Sequence, residues 1–210
     1  MNALLIAGGG GHAGVVASMV QRTGIWRILG YTDLADRGSL VGNRWLGTDE
    51  VAITLRQSGA VKAAVLGVGH LGDPSVRIAL TERLQGLEYE LPVIVDPSAV
   101  IGPQTAIGAA TVIMPGVVVN TGARIGVGCI INTHATIEHD CSIGKHVHVA
   151  PGSTVCGGCE VGDSSMIGAG AVIAHGVRVA AGCLIGAGAT VVRDIREPGV
   201  YVGTPARKLR

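Results

Sequence analysis

Glu138-His139-Asp140 puts three ionisable side chains in a row, inside the run Asn132-Thr133-His134-Ala135-Thr136-Ile137-Glu138-His139-Asp140. An imidazole titrates near pH 6.5, so His139 can take a proton at neutral pH. A carboxylate beside it can orient the ring and stabilise the imidazolium. The pair makes His139 a candidate general base and Asp140 its partner. Five of the seven histidines, His134, His139, His146, His148 and His175, fall between residues 130 and 180. Taken singly, each reads as a solvated surface histidine; the adjacent carboxylate sets His139 apart.

The element that must hold these residues is a repeat. From Ile101 to Val191 every sixth residue is Ile or Val. The fifth place of each hexad is small or slim, as in Ala123, Cys129, Ala135 and Ser153, and the second place is often Gly, as in Gly102, Gly126 and Gly144. A period of six fits neither a helix nor an ordinary strand and predicts a hexapeptide β-helix. The branched residue points inward, the fifth-place residue fills the space beside a corner, and Gly relieves the turn. Three hexads close one coil of about 18 residues, and five coils stack to roughly 24 Å. Gly157 then stands one coil after His139 in the same column, a candidate oxyanion donor through its N–H. His175 stands two coils after His139. Faces without a polar repeat imply that one is buried, and closed cyclic symmetry makes a homotrimer the expectation.

Ahead of the repeat, Ala3 to Ala7 reads as a buried strand, followed by glycines and a helix to about Arg22. Gly9, Gly11 and Gly14 match G-x-G-x-x-G at this strand-to-helix junction, and a second strand of about Arg27 to Thr32 ends at Asp33. Glycines there let a backbone approach phosphate, and the acid meets a ribose or base. The plain alternative is a tight βα turn without a ligand, and the unit is short for NAD. A helix over Asp49 to Gln57 capped by Thr48, a strand over Val61 to Val68, a helix from Asp73-Pro74 to about Gln85 and a strand over Leu91 to Val95 complete a small α/β domain. Gly10 to His12, Asp33 and Gly69 all fall at strand C-terminal ends, where open α/β sheets bind ligands. The expected division is residues 1–95 and 96–210. After Val191 the repeat is expected to stop at Arg193-Asp194, leaving an extended basic tail.

The chain of 210 residues is 48% hydrophobic with 34 Gly and no Phe, a composition suited to narrow coils filled by Ile, Val and Ala. A net charge of +1 leaves no basic field for nucleic acid. No apolar run reaches membrane-spanning length, and Met1 to Ala7 lacks the basic flank of a signal peptide, so a cytoplasmic protein is expected. Cys156-Gly157-Gly158-Cys159 invites a metal or redox reading, but Cys129, Cys141, Cys159 and Cys183 all occupy the fifth place and read as small core residues. No metal is expected.

The Gly-rich start with Gly11-His12, the short α/β domain, the run Ile137-Glu138-His139-Asp140-Cys141-Ser142-Ile143-Gly144 and the tail Val202-Gly203-Thr204-Pro205-Ala206-Arg207 together resemble the NeuD/PglD-type bacterial sugar acyltransferases. The resemblance covers essentially the whole chain. It implies a Rossmann-like α/β N-terminal domain followed by a left-handed parallel β-helix, with acetyl-CoA as co-substrate and a nucleotide-linked amino sugar as acceptor. The acetyl group would go to the sugar's amine. The resemblance makes His139 the base, Asp140 the residue raising its basicity and Gly157 the oxyanion donor. Asn132 would position substrate, and His148 would contact the thioester. Ala169 and Ala187 would contact CoA through their backbone. Gly10, Gly11, His12, Thr32, Asp33 and Gly69 would form the sugar-nucleotide site. Two departures stand out: members of the family often carry Glu where this chain has Asp140, and Val68-Gly69-His70-Leu71 replaces a usually polar run.

Three other readings use the same residues. O-acetylation of a sugar such as sialic acid is the nearest. A non-catalytic sugar-nucleotide-binding protein would keep the fold without the chemistry, which the intact His139-Asp140 pair disfavours. The γ-type carbonic anhydrases bind zinc on the same prism; His134 and His139 reproduce one H-x4-H element, but the third ligand would fall at Ser98.

Overall fold

A computed structural model describes residues 1–209, and the chain forms two compact units: residues 1–69 with 75–97, and residues 70–74 with 98 onward. The first unit is built on a parallel sheet of β1 (Asn2–Ala7), β2 (Trp26–Thr32), β3 (Trp45–Gly47) and β4 (Ala63–Leu66), in the order β3-β2-β1-β4. Its helices are α1 (Gly11–Thr23), α2 (Glu50–Gln57) and α3 (Ser75–Gly86). Leu4, Leu5 and Ile6 are all fully buried, as a strand covered on both faces requires. Ala13, Val16, Ala17 and Val20 turn inward from α1 at helical spacing, and Gly24 ends that helix in the left-handed region at φ 65°.

β3 was not foreseen, because three residues are too few to display alternation. Asp49, not Thr48, stands at the N-cap of α2, and its carboxylate accepts the Thr32 hydroxyl at 3.0 Å instead of capping the helix. The strands expected over 61–68 and 91–95 contract to β4 and to β5 (Ile94–Val95).

In the second unit each hexad contributes one short strand, and each strand pairs in parallel with the strand one coil away. Arg124 lies beside Ser142, Ile130 beside His148, and Thr136 beside Thr154. These pairings make three faces. The first includes Thr136–Ile137 and Thr154–Val155, the second Arg124–Ile125 and Ser142–Ile143, the third Ile130–Ile131 and His148–Val149. First-place residues from Ile113 to Val191 point inward and are at most 4% exposed. Each such side chain contributes roughly 1.5–3 kcal/mol on burial. The polar fifth-place residues are satisfied within the wall: Thr111 Oγ1 donates to the Gly126 carbonyl at 2.9 Å and Ser153 Oγ to that of Ala150 at 2.6 Å. The second face carries an exposed polar column of Arg124, Ser142, Glu160 and Arg178, so the expectation of faces without polar repeats fails there. Outward residues of the first face, among them Val118, Thr136, Thr154 and Val172, are half-buried.

The corners correct the role given to glycine. Second-place glycines have no left-handed backbone; a Cβ on Gly126 would come within 2.6 Å of the Gly144 carbonyl oxygen in the next coil. They are small because stacked coils approach closely there. The turn itself is made at the fourth place, where all fifteen residues from Gln104 to Gly188 have positive φ. Nine of the fifteen are Gly, and the other six include His134, Asp140 and His146.

The winding also runs past the expected stop. Ile195 bridges to Val179, and Gly199–Val202 pairs in parallel with Cys183–Ile185, both at a separation of 16 residues. The corner after Val191 is thus two residues short, which breaks the sequence period without ending the coil. Arg207–Lys208 then folds back antiparallel on Tyr201–Val202. Among the described residues no helix is long and apolar enough to cross a membrane.

Ile167→Ala, at a fully buried first place, should cost about 2–5 kcal/mol in chemical denaturation. Ser142→Ala, on the exposed column, should stay within about 0.5 kcal/mol. Equal costs would overturn the assignment of inward and outward places.

Candidate active site

His139 and Asp140 are the third and fourth places of one hexad and occupy the corner between the first and second faces. The left-handed turn at Asp140, φ 59°, throws its carboxylate back toward its neighbour. Asp140 Oδ2 accepts the His139 Nδ1 proton at 2.9 Å. That bond fixes the tautomer, leaving Nε2 with the free lone pair. The hydrogen bond to Asp140 raises the His139 pKa above its ordinary value; desolvation opposes it, and the charges of Asp140 and Glu138 support it. Glu138 itself accepts from Asn120 Nδ2 at 2.9 Å.

Glycines clear the space around this pair. A Cβ on Gly157 would lie 2.6 Å from His139 Nε2, and a Cβ on Gly122 would lie 2.7 Å from Asp140 Oδ1. Gly157 is therefore where the period places it, directly against the ring, and its N–H has no hydrogen-bond partner among the described residues. His175 faces His139 across Gly157, with ring centroids 6.3 Å apart and planes tilted by 47°. A fourth-place Asp is strained where Gly would not be, by roughly 1–2 kcal/mol.

The remaining residues expected on the prism sit elsewhere. His148 is on the third face and only 6% exposed. Its Nδ1 donates to the His70 carbonyl at 2.8 Å, and its Nε2 accepts from Asn132 Nδ2 at 3.0 Å. Both ring nitrogens are engaged, so the imidazole is neutral and serves as the anchor that orients Asn132. The Asn132 Oδ1 in turn accepts the Thr133 N–H at 2.7 Å. Ala169 and Ala187 are exposed third-place residues at the corner between the third and first faces. Within one chain, then, His139, Asp140 and Gly157 share one corner, while Ala169 and Ala187 share another, close in register to Asn132. His134 belongs to the second of these corners, apart from His139, and Ser98 accepts the Gly116 N–H at 3.1 Å. Sequence reasoning missed His70, whose link to His148 spans 78 residues and leaves no local signal.

At the carboxyl edge of the parallel sheet, Asp33 Oδ2 accepts the Gly9 N–H at 2.8 Å, and Oδ1 accepts Arg37 Nε at 3.1 Å and the Ala35 N–H at 3.3 Å. Burial works to raise the Asp33 pKa, but these two N–H groups and the Arg37 charge outweigh it and hold the carboxyl below its ordinary value. Asp33 lines a cavity of about 480 Å³ whose other wall is α3. Gly10 and Gly11 are exposed at the start of α1, where their N–H groups can meet an anion. His12 packs against Gly69. Thr32 is fully buried, with its hydroxyl on Asp49 and its carbonyl accepting the Gly8 N–H at 2.8 Å. The cavity residues Val76, Leu80 and Arg83 were not foreseen, since a helix face of that spacing reads as core.

All five cysteines are free thiols. Burial pushes Cys156 and Cys183 above the usual thiol range, which makes them poor nucleophiles.

Two family models match the chain: the PglD N-terminal domain over residues 3–84, and the bacterial transferase hexapeptide over residues 158–193. The acetyltransferase domain of PglB from Neisseria gonorrhoeae is 32% identical, with 100% of each chain covered and a TM-score of 0.90. PerB from Caulobacter crescentus, solved with CoA and GDP-perosamine, is 32% identical over 99% of this chain and 97% of its own, with a TM-score of 0.92. WeeI from Acinetobacter baumannii, 24% identical over all of both chains with a TM-score of 0.89, shares the fold. No curated protein matches.

NMR titration of the His139 ring should give a pKa above 6.5 that falls in Asp140→Asn, because the carboxylate stabilises the imidazolium. An unchanged midpoint in that variant would show that the carboxylate does not hold the ring.

Proposed function

The chain belongs to the NeuD/PglD-type sugar acyltransferases, built on a left-handed parallel β-helix, and on that premise we propose that it moves an acetyl group from acetyl-CoA to the amino group of a nucleotide-linked amino sugar. The observation that carries the reading is the His139–Asp140 hydrogen bond with Nε2 left free beside Gly157. The sugar amine attacks the thioester carbonyl and forms the C–N bond. His139 Nε2 takes the amine proton, and Asp140 stabilises the imidazolium. The Gly157 N–H donates to the oxyanion. Collapse breaks the C–S bond, and His139 returns its proton to the CoA sulfur. Asn132, anchored by the buried His148, is taken to position substrate, and His148 moves no proton in this reading.

Acetyl-CoA as donor is supported by the PglB acetyltransferase domain, which was solved with acetyl coenzyme A, and by PerB, solved with CoA. N-acetylation is favoured over O-acetylation because PerB is named as a GDP-perosamine N-acetyltransferase. The site needs more than one copy of the chain. The proposed base lies at one corner of the prism and the alanines proposed to contact CoA at another, so on this reading a parallel neighbour brings its alanine corner to the base. A homotrimer with cyclic symmetry supplies that arrangement three times.

His139→Ala should lower kcat by about 10² to 10⁴-fold and leave the Kd for CoA nearly unchanged, measured by thiol release and calorimetry. Gly157→Ala should cost about 100-fold by displacing the ring, although its backbone admits alanine. Activity retained in both variants would remove His139 from the mechanism. An active monomer in light scattering would refute the shared site.

A further inference from the structure

We propose that Cys141 and Cys159 are a redox pair: a peroxide joins them in a disulfide that ties the coil of His139 to the coil of Gly157 and stops acetyl transfer, and a thiol reductant restores it. The effect on turnover rests on the proposed function above; the bond itself does not.

Both residues are fifth-place cysteines in one column of the wall, with Ala123 before them and Val177 after, and both are buried. Ser142 pairs in parallel with Glu160, and the Ser142 N–H donates to the Cys159 carbonyl at 2.8 Å, which sets Cys159 beside Cys141 in the next coil. Neighbours stacked in this way are about 4.8 Å apart at Cα, within the roughly 4.4–6.8 Å that a disulfide spans. The two thiols interact with each other. The remaining fifth-place cysteines have no such neighbour: Cys129 stands between Thr111 and Val147 in its column, and Cys183 between Ser165 and Gly199. In the reduced protein the pair donates to wall carbonyls, Cys141 Sγ to Cys156 at 3.1 Å and Cys159 Sγ to Ala174 at 3.0 Å.

The two sulfurs take different parts. Turned onto Cys159, the Cys141 S–H stabilises the thiolate there and holds the Cys159 pKa below the usual thiol range, against desolvation. Cys159 therefore attacks the peroxide: its S–O bond forms as the O–O bond breaks, giving a sulfenic acid and one water. Cys141 then attacks that sulfur. The S–S bond forms, and hydroxide leaves with the Cys141 proton as a second water. Two electrons have passed from the thiols to the peroxide. Entry is open at the corner over Cys159, where Gly158 is exposed and a Cβ on it would meet nothing within 4 Å.

The bond acts directly behind the base, since Cys141 follows Asp140 and Cys159 follows Gly158. A disulfide brings its Cβ atoms to roughly 3.8 Å, about 1 Å closer than stacked coils hold them. The corner has no slack to absorb this, because a Cβ on Gly157 would already lie 2.6 Å from His139 Nε2. The ring is pushed off the Gly157 N–H, and a misplacement of about 1 Å at a reacting centre costs about 100-fold in rate.

The test is non-reducing peptide mapping of the full-length protein after hydrogen peroxide, with turnover followed by the mass of the amide product. A Cys141–Cys159 linkage should form, kcat should fall about 100-fold, and dithiothreitol should restore it. Cys141→Ala and Cys159→Ala should match the untreated enzyme and ignore peroxide; Ala holds the same place at Ala123 and Ala135, so both should fold. Cys156→Ala should leave the switch intact. A Cys156–Cys159 linkage in place of the expected one, no linkage at all, full turnover in the linked protein, or a loss of activity that persists in Cys141→Ala overturns the inference and leaves acetyl transfer standing. A reduced enzyme that acetylates no nucleotide-linked amino sugar overturns the proposed function and the switch with it.

Discussion

The candidate site depends on one constraint: each residue of the prism lies against the residue one coil later. The parallel pairing of Arg124 with Ser142 and of Thr136 with Thr154 fixes this register, and the buried Ile and Val column maintains it. A slip of one residue would turn every inward side chain outward. Because the register holds through the fifteen hexads, Gly122 meets Asp140 and Gly157 meets His139. The space around His139 and Asp140 is therefore cleared by glycines in the coils before and after theirs. Positioning is inherited from the rigidity of the stack rather than from a network of polar supports.

Only one polar contact then needs to be made. The hydrogen bond from His139 to Asp140 selects the tautomer, raises the basicity of the ring and aims Nε2 along the edge of the prism. Asp140 can make it because the fourth place adopts a left-handed backbone. That conformation favours Gly but admits Asp better than most residues. The buried His148 shows the complementary use of the same side chain. With both nitrogens engaged by His70 and Asn132 it holds a neighbour in place and has no lone pair to spare.

What the sequence shows and hides follows from the same geometry. The inward column was legible because one residue type recurs at one spacing, and Gly157 could be placed against His139 by counting alone. The fourth-place turns were not legible, since Gln104, His134, Asp140 and Ser164 share no chemistry, only a backbone angle. Second-place glycines were recognised but given the wrong cause, because a close approach to the next coil and a left-handed turn both demand Gly. The last coil was hidden by a corner two residues short. In the first unit the ends of β1 and β2, and Asp33 after β2, were readable from the glycine pattern. The cavity wall was not, because the Val76, Ala79 and Leu80 face of α3 is indistinguishable in sequence from a face that packs into a core. That the Thr32 hydroxyl is spent on Asp49 was hidden as well, because nothing local signals it.

The central claim is that free Nε2 of His139 accepts a proton from a sugar amine as that amine takes the acetyl group. The most direct measurement is the pH dependence of kcat/KM for acetyl transfer to a nucleotide-linked amino sugar, with the product identified by mass spectrometry. The product should be an amide. The rate should rise with pH through the His139 ionisation above 6.5, and the rising limb should move to lower pH in Asp140→Asn, since loss of the carboxylate lowers the imidazolium pKa. A limb that stays in place in that variant, or an acetyl group found on oxygen, would contradict it.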